Sequence, residues 1–66
     1  MKFAEYDTVV LLRDYENEGV KRGDIGAIVM VYTEPNEAYE VEFVDENGNT
    51  KAQIVLPPDE IAKFSK

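Results

Sequence analysis

The sequence predicts an all-β domain: five short strands rolled into a small barrel, with one 3₁₀ turn before the last strand. Three observations carry this. The run Gly23-Asp24-Ile25-Gly26-Ala27-Ile28-Val29-Met30-Val31-Tyr32 opens on two glycines and continues as a β-branched segment. Two alternating segments flank Asn47-Gly48, the strongest short hairpin signal. Finally, 66 residues suffice for one domain, expected over 1–66, and a single small core.

The first strand is Asp7-Thr8-Val9-Val10-Leu11-Leu12. It is apolar on both faces, so it is either buried on both sides or bent between two sheets. Before it, Phe3 and Tyr6 are large enough to cover one end of the core. Residues 13–22 follow as a polar, aperiodic loop, long enough to suggest function. Gly19 supplies a positive φ there, and Val20 tucks the loop back onto the core.

Gly23-Asp24 is a tight turn into the second strand. Gly26 lets the backbone pass close to a neighbour. Strict alternation would put Ile28, Met30 and Tyr32 on one face, whereas a bulge or strong bend would bury Ile28 and Val31 together. The bend is the expectation, because a small barrel must coil its strands.

Pro35 and Asn36 mark the next loop. Ala38-Tyr39-Glu40-Val41-Glu42-Phe43-Val44 then alternates, with Tyr39, Val41 and Phe43 inward and Glu40 and Glu42 outward. With Asn47-Gly48 as the two central turn residues, Phe43 faces Ala52, Val41 faces Ile54 and Tyr39 faces Leu56. On the other face Val44 meets Lys51, Glu42 meets Gln53 and Glu40 meets Val55. A slip by one residue would destroy this match. Pro57-Pro58-Asp59-Glu60-Ile61 reads as one 3₁₀ turn, and Ile61-Ala62-Lys63-Phe64 as the closing strand.

These elements together describe a five-stranded SH3-like barrel. Asp7-Thr8-Val9-Val10-Leu11 and Gly23-Asp24-Ile25-Gly26-Ala27-Ile28-Val29 resemble the first strands of KOW-type barrels. Over almost its full length the chain resembles a family of short bacterial proteins, common in cyanobacteria, catalogued as a domain of unknown function. The residues that carry this are Tyr6-Asp7-Thr8-Val9-Val10-Leu11-Leu12, Gly23-Asp24-x-Gly26, Val31-Tyr32, Ala38-Tyr39-Glu40-Val41-Glu42-Phe43, and Thr50-x-Ala52 with Leu56. The resemblance implies the barrel and a bacterial cytoplasmic setting. It implies no activity. Relatives encoded beside small toxin-like proteins would make the family an antitoxin or immunity candidate.

Composition narrows the function. There is no histidine and no cysteine, and Ser65 is the one serine. Disulfides, imidazole and thiolate metal sites and the usual nucleophile–base pairs are therefore missing, so no enzyme activity and no cofactor is expected. Glu40 and Glu42 share a face, but no third carboxylate is placed with them, and they read as the solvated side of the hairpin. Asp45-Glu46-Asn47-Gly48-Asn49 has its glycine fourth, where a calcium loop needs it sixth. Gly23-x-x-Gly26 leads into a strand, so no helix end waits for a phosphate. No apolar run approaches a signal peptide or a membrane span, and a cytoplasmic protein is expected.

The formal net charge is −7, from 14 acidic and 7 basic residues. That charge repels phosphate backbones, so KOW-type RNA binding is disfavoured; only Lys21 and Arg22 stand by the glycine turn, among Asp14, Glu16, Glu18 and Asp24. The charge either serves solubility alone or steers the chain to a basic protein. On the second reading Tyr15 and Tyr32 anchor the partner, and Glu16, Glu18, Glu34 and Glu37 attract it. On the first, the two tyrosines cover the barrel ends. A further expectation is a homo-oligomer, because Val10, Leu12, Ile28 and Met30 are more apolar surface than a small barrel hides.

Overall fold

The computed structural model describes residues 2–65; Met1 and Lys66, the two ends of the expected domain, lie outside them. The chain is all-β. Its strands are β1 (Thr8–Leu11), β2 (Ile25–Tyr32), β3 (Ala38–Val44), β4 (Thr50–Leu56) and β5 (Ile61–Lys63). One 3₁₀ turn, Glu16–Glu18, lies in the first loop, and a second, Pro58–Glu60, precedes β5. All pairings are antiparallel, in the order β4-β3-β2-β1-β5.

The two edge strands of this sheet, β4 and β5, are consecutive in the chain and joined only by residues 57–60. So short a connection spans the sheet's edges only if the sheet rolls until they approach one another. The core confirms the roll. Val9 and Leu11 of β1, Ile28 of β2, Tyr39, Val41 and Phe43 of β3, Leu56 of β4 and Ile61 of β5 form one buried cluster with Phe3 and Val20.

The bend expected in β2 takes the form of a bulge. Ile28 pairs with Val41 and Met30 with Glu40, so Val29 is the extra residue. Ile28 is fully buried and Val31 packs against the core. Val10 is half-buried, so β1 faces the core mainly through Val9 and Leu11. Gly19 has φ 78°, and Val20 is buried, as the loop requires.

The hairpin register holds from Phe43–Ala52 through Tyr39–Leu56. It changes beside the turn, where Val44 pairs with Thr50 rather than Lys51, making Lys51 a bulge. The turn is also shifted. Gly48 N–H donates to the Asp45 carbonyl at 3.0 Å, so Glu46 and Asn47 are its central residues. Gly48 alone takes positive φ there, at 85°. The Asp45 carboxylate decides this by accepting from the N–H groups of Asn47 and Asn49, each at 2.9 Å.

Two further expectations are corrected. Tyr6 does not cover the core: it occupies a left-handed turn position with φ 72°, and is 78 % exposed. Its N–H donates to the Ile28 carbonyl at 2.7 Å, and this fixes the turn while the ring points to solvent. Of the two, Phe3 closes that end, edge-on to Tyr39 with ring centroids 5.2 Å apart. Ile28, expected as surplus apolar surface, is in the core, whereas Leu12 and Met30 remain exposed.

Candidate functional site

The outer face of the sheet carries the feature with most binding character. Val41 and Ile54 face inward, so their neighbours Glu40 and Val55 face outward, and Glu40 pairs with both Met30 and Val55. Two pairs further along, on the same face, Tyr32 stands opposite Ala38. The loop after β2, which includes a cis Glu34–Pro35 peptide, folds beside them. The result is a shallow groove of about 360 Å³ lined by Tyr32, Glu34, Pro35, Asn36, Ala38 and Val55.

The Tyr32 ring is held in place. Its hydroxyl donates to Glu40 Oε1 at 2.5 Å, and the Gln53 side-chain amide donates to Glu40 Oε2. The Tyr32 hydrogen bond, followed by that of Gln53, holds the Glu40 carboxyl below the usual glutamate range. The same bond raises Tyr32, so its phenol stays protonated. Glu42 accepts from the Thr50 hydroxyl at 2.6 Å. Both outward glutamates thus bond neutral donors.

The first loop is a separate surface. Tyr15 is half-buried against the core and bridges to Val20. Its ring therefore props the loop rather than projecting from it. Glu16 and Glu18 lie exposed on the 3₁₀ turn. Asp14 accepts from the Arg22 N–H at 2.9 Å, and Arg13 pairs with Glu60 at 2.9 Å. This loop and the Pro35 loop leave opposite ends of β2, an eight-residue strand with a contour of about 23 Å. Tyr15, Glu16 and Glu18 are thus brought together in one place, and Tyr32 and Glu34 in another.

Glu37 belongs to neither group. It accepts from the Tyr39 hydroxyl and, at 3.2 Å, from the Lys2 N–H. The Tyr39 bond, and then the Lys2 bond, hold its carboxyl below the usual range. Burial, reinforced by the Glu37 bond, pushes the Tyr39 phenol up. Tyr39 also accepts from the N–H groups of Lys2 and Phe3, at 3.1 and 3.2 Å. Glu37 is therefore half of a clamp on the amino-terminal segment. Sequence reasoning missed Glu40 and Gln53 as supports of Tyr32. Their signal was present: the hairpin register makes Glu40 and Gln53 diagonal neighbours, two pairs apart on the outer face.

Charge surrounds both surfaces. Three ion pairs among the described residues engage Asp7, Asp24 and Glu60. Burial opposes ionisation of Asp24, but the Lys21 N–H and the Lys51 ammonium outweigh it and hold the carboxyl below its ordinary value. Glu16, Glu18, Glu34, Glu40 and Glu42 take no part in these pairs. Among the described residues no group of three or more acidic side chains is placed to hold a metal ion, and no helix is long and apolar enough to cross a membrane. The chemistry on offer at the groove is an aromatic ring, a proline and a valine beside carboxylates.

No curated protein and no solved structure matches the chain. A family model does match, over residues 5–63, which is nearly all of the sequence. The chain belongs to the family described as Domain of unknown function (DUF4926).

Proposed function

We propose that this chain is a small acidic protein-binding module that docks a basic protein through the Tyr32 groove. The observation that carries this reading is the Tyr32–Glu40 hydrogen bond beside exposed apolar surface. It pre-sets a rigid aromatic ring, so little side-chain entropy is lost on docking. The groove presents apolar area from Pro35, Ala38 and Val55, while Glu34 and Glu40 favour Lys or Arg at its rim. The exposed Glu16 and Glu18 add long-range steering from the other end of β2. Antitoxin or immunity action on a basic toxin or nuclease fits this chemistry, because covering a cationic surface blocks its nucleic-acid contacts. The SH3-like barrel and a bacterial cytoplasmic setting belong to the same reading.

The test is capture of basic proteins encoded beside its gene, measured at low and high salt with two variants. Tyr32→Ala should weaken capture at every salt concentration, since it removes contact area. Glu16→Gln with Glu18→Gln should weaken it at low salt only, since screening already removes steering at high salt. Capture that ignores both salt and Tyr32 would overturn the proposal.

A further inference from the structure

The strand at the far edge of the sheet, which lends Val55 to the groove, supports a second inference from a different observation, its open backbone edge. We propose that β4 pairs antiparallel with β4 of a second copy of this chain. The argument begins with the direction of backbone groups. The N–H of Ile28 donates to the Asp7 carbonyl, and its C=O accepts from the Tyr6 N–H. Ile28 therefore points both groups away from β3. Direction alternates residue by residue along an antiparallel ladder. Ala27 thus bonds Glu42, Val41 turns to β4, and Ile54 turns back to β3. Gln53 and Val55 are left pointing outward. Among the described residues β4 has β3 as its one strand partner, so these groups meet no backbone across that edge.

The side chains show the same opening. Val41 and Phe43 are fully buried, whereas their β4 partners Ile54 and Ala52 are only half-buried. The roll of the sheet stops short of covering β4. Val55, on the opposite face, is 55 % exposed. Edges of this kind are normally blunted by charge or proline. Here Lys51 is a bulge already paired to Asp24, and Pro57 follows the strand, so residues 52–56 carry no such guard.

Charge selects the occupant. A chain of net charge −7 repels its own copy least along a strand that carries no acids. Residues 47–58 are the longest stretch of the sequence without an acidic residue, and β4 lies within it. The strand is also self-complementary. With Ile54 opposite Ile54 of the second copy, Gln53 meets Val55 and Ala52 meets Leu56. That register makes Gln53 and Val55 the hydrogen-bonded pairs, so the outward N–H and C=O groups of both are satisfied. The contact covers Ile54 and Ala52 on one face and Val55 on the other. Its small extent makes a weak, concentration-dependent dimer.

The experiment uses the native chain. Sedimentation should show the mass rising from 7.5 kDa toward twice that value as concentration approaches about a millimolar. Amide exchange should slow at Gln53 and Val55 by roughly tenfold when about nine chains in ten are dimeric, with Ile54 protected at every concentration. Gln53→Pro removes an N–H that bonds nothing within the chain and should give a folded monomer. A strict monomer at millimolar concentration overturns the proposal. So does a dimer that survives Gln53→Pro, or one whose Gln53 and Val55 amides exchange as fast as in the monomer. An edge reserved for a strand of another protein would leave those amides unprotected at all concentrations, which also overturns it. Mass and amide exchange of the native chain are read without any basic partner, so their failure is distinct from failure of capture at the Tyr32 groove.

Discussion

Gly26 lies against Val41 so closely that a methyl group on its α-carbon would sit 2.7 Å from Val41 Cγ1. The same methyl would be 2.8 Å from the Glu42 carbonyl oxygen and 2.9 Å from Phe43 Cδ1. The backbone oxygen cannot rotate away, so β2 and β3 would have to separate. Gly26→Ala is therefore expected to cost about 1–3 kcal/mol, at the upper end because the obstacle includes backbone. In a domain this small that lowers Tm by roughly 10 °C. Thermal unfolding checks it; an unchanged Tm would mean that the strands part at no cost.

Gly26 also shows why much of this fold was legible. A glycine at the entrance of a β-branched run has few explanations besides close packing. The hairpin register was legible for a similar reason: one pairing alone matches every large apolar residue of β3 with an apolar partner. The turn was not. Two turn geometries give Gly48 a positive φ, and the choice falls to the Asp45 carboxylate, which the dipeptide signal ignores. Tyr6 was misread because an aromatic beside a strand usually packs inward, while its backbone conformation was not visible in the sequence. In the site, Tyr32 was legible from its place at a strand end beside a proline loop. The engagement of Glu37 was not, since it depends on the amino-terminal segment folding back across β3.

Tyr39→Phe isolates that fold-back. The Tyr39 hydroxyl accepts from the N–H groups of Lys2 and Phe3 and donates to Glu37. Its loss leaves the Phe3 N–H, in a buried setting, with no acceptor. A cost of about 1–3 kcal/mol is expected. The ring itself stays in the core, so the loss should be local. Amide exchange should quicken at Lys2 and Phe3 and remain slow in β3 and β4. Uniform acceleration across the sheet would show that the hydroxyl supports the whole barrel instead.

Tyr6→Asn should stabilise the chain. Tyr6 holds a left-handed conformation that costs a side-chain-bearing residue about 1–2 kcal/mol, and its exposed ring recovers little by burial. Asparagine tolerates that conformation better. The N–H to Ile28 hydrogen bond is backbone and survives the change. Chemical denaturation should move to a higher midpoint, a stability gain of roughly 0.5–1 kcal/mol. A loss of stability would show that the exposed ring makes contacts that outweigh the strain.

Stability should form a plateau bounded on both sides by tyrosine–glutamate pairs. Glu37 and Glu40 are held below the ordinary glutamate value of 4.5 by Tyr39 and Tyr32 respectively. A carboxyl lowered in the folded state contributes fully above its unfolded pKa, and that contribution fades as pH falls through the folded values. The loss therefore begins below about pH 5. On the alkaline side both phenols are raised above 10.0, Tyr32 chiefly by the Glu40 bond and Tyr39 chiefly by burial. The folded chain holds those protons more tightly than the unfolded chain, so stability is whole below pH 10 and falls as pH rises beyond it. Urea midpoints measured across pH should show both shoulders. The double variant Tyr32→Phe, Tyr39→Phe removes both phenols and with them the hydroxyl donors to Glu37 and Glu40, leaving the Lys2 N–H and the Gln53 amide. It should flatten the alkaline fall and lessen the acid one, keeping the share due to Asp24. An acid slope equal to that of the native chain would show that the two hydroxyls do not hold these carboxylates.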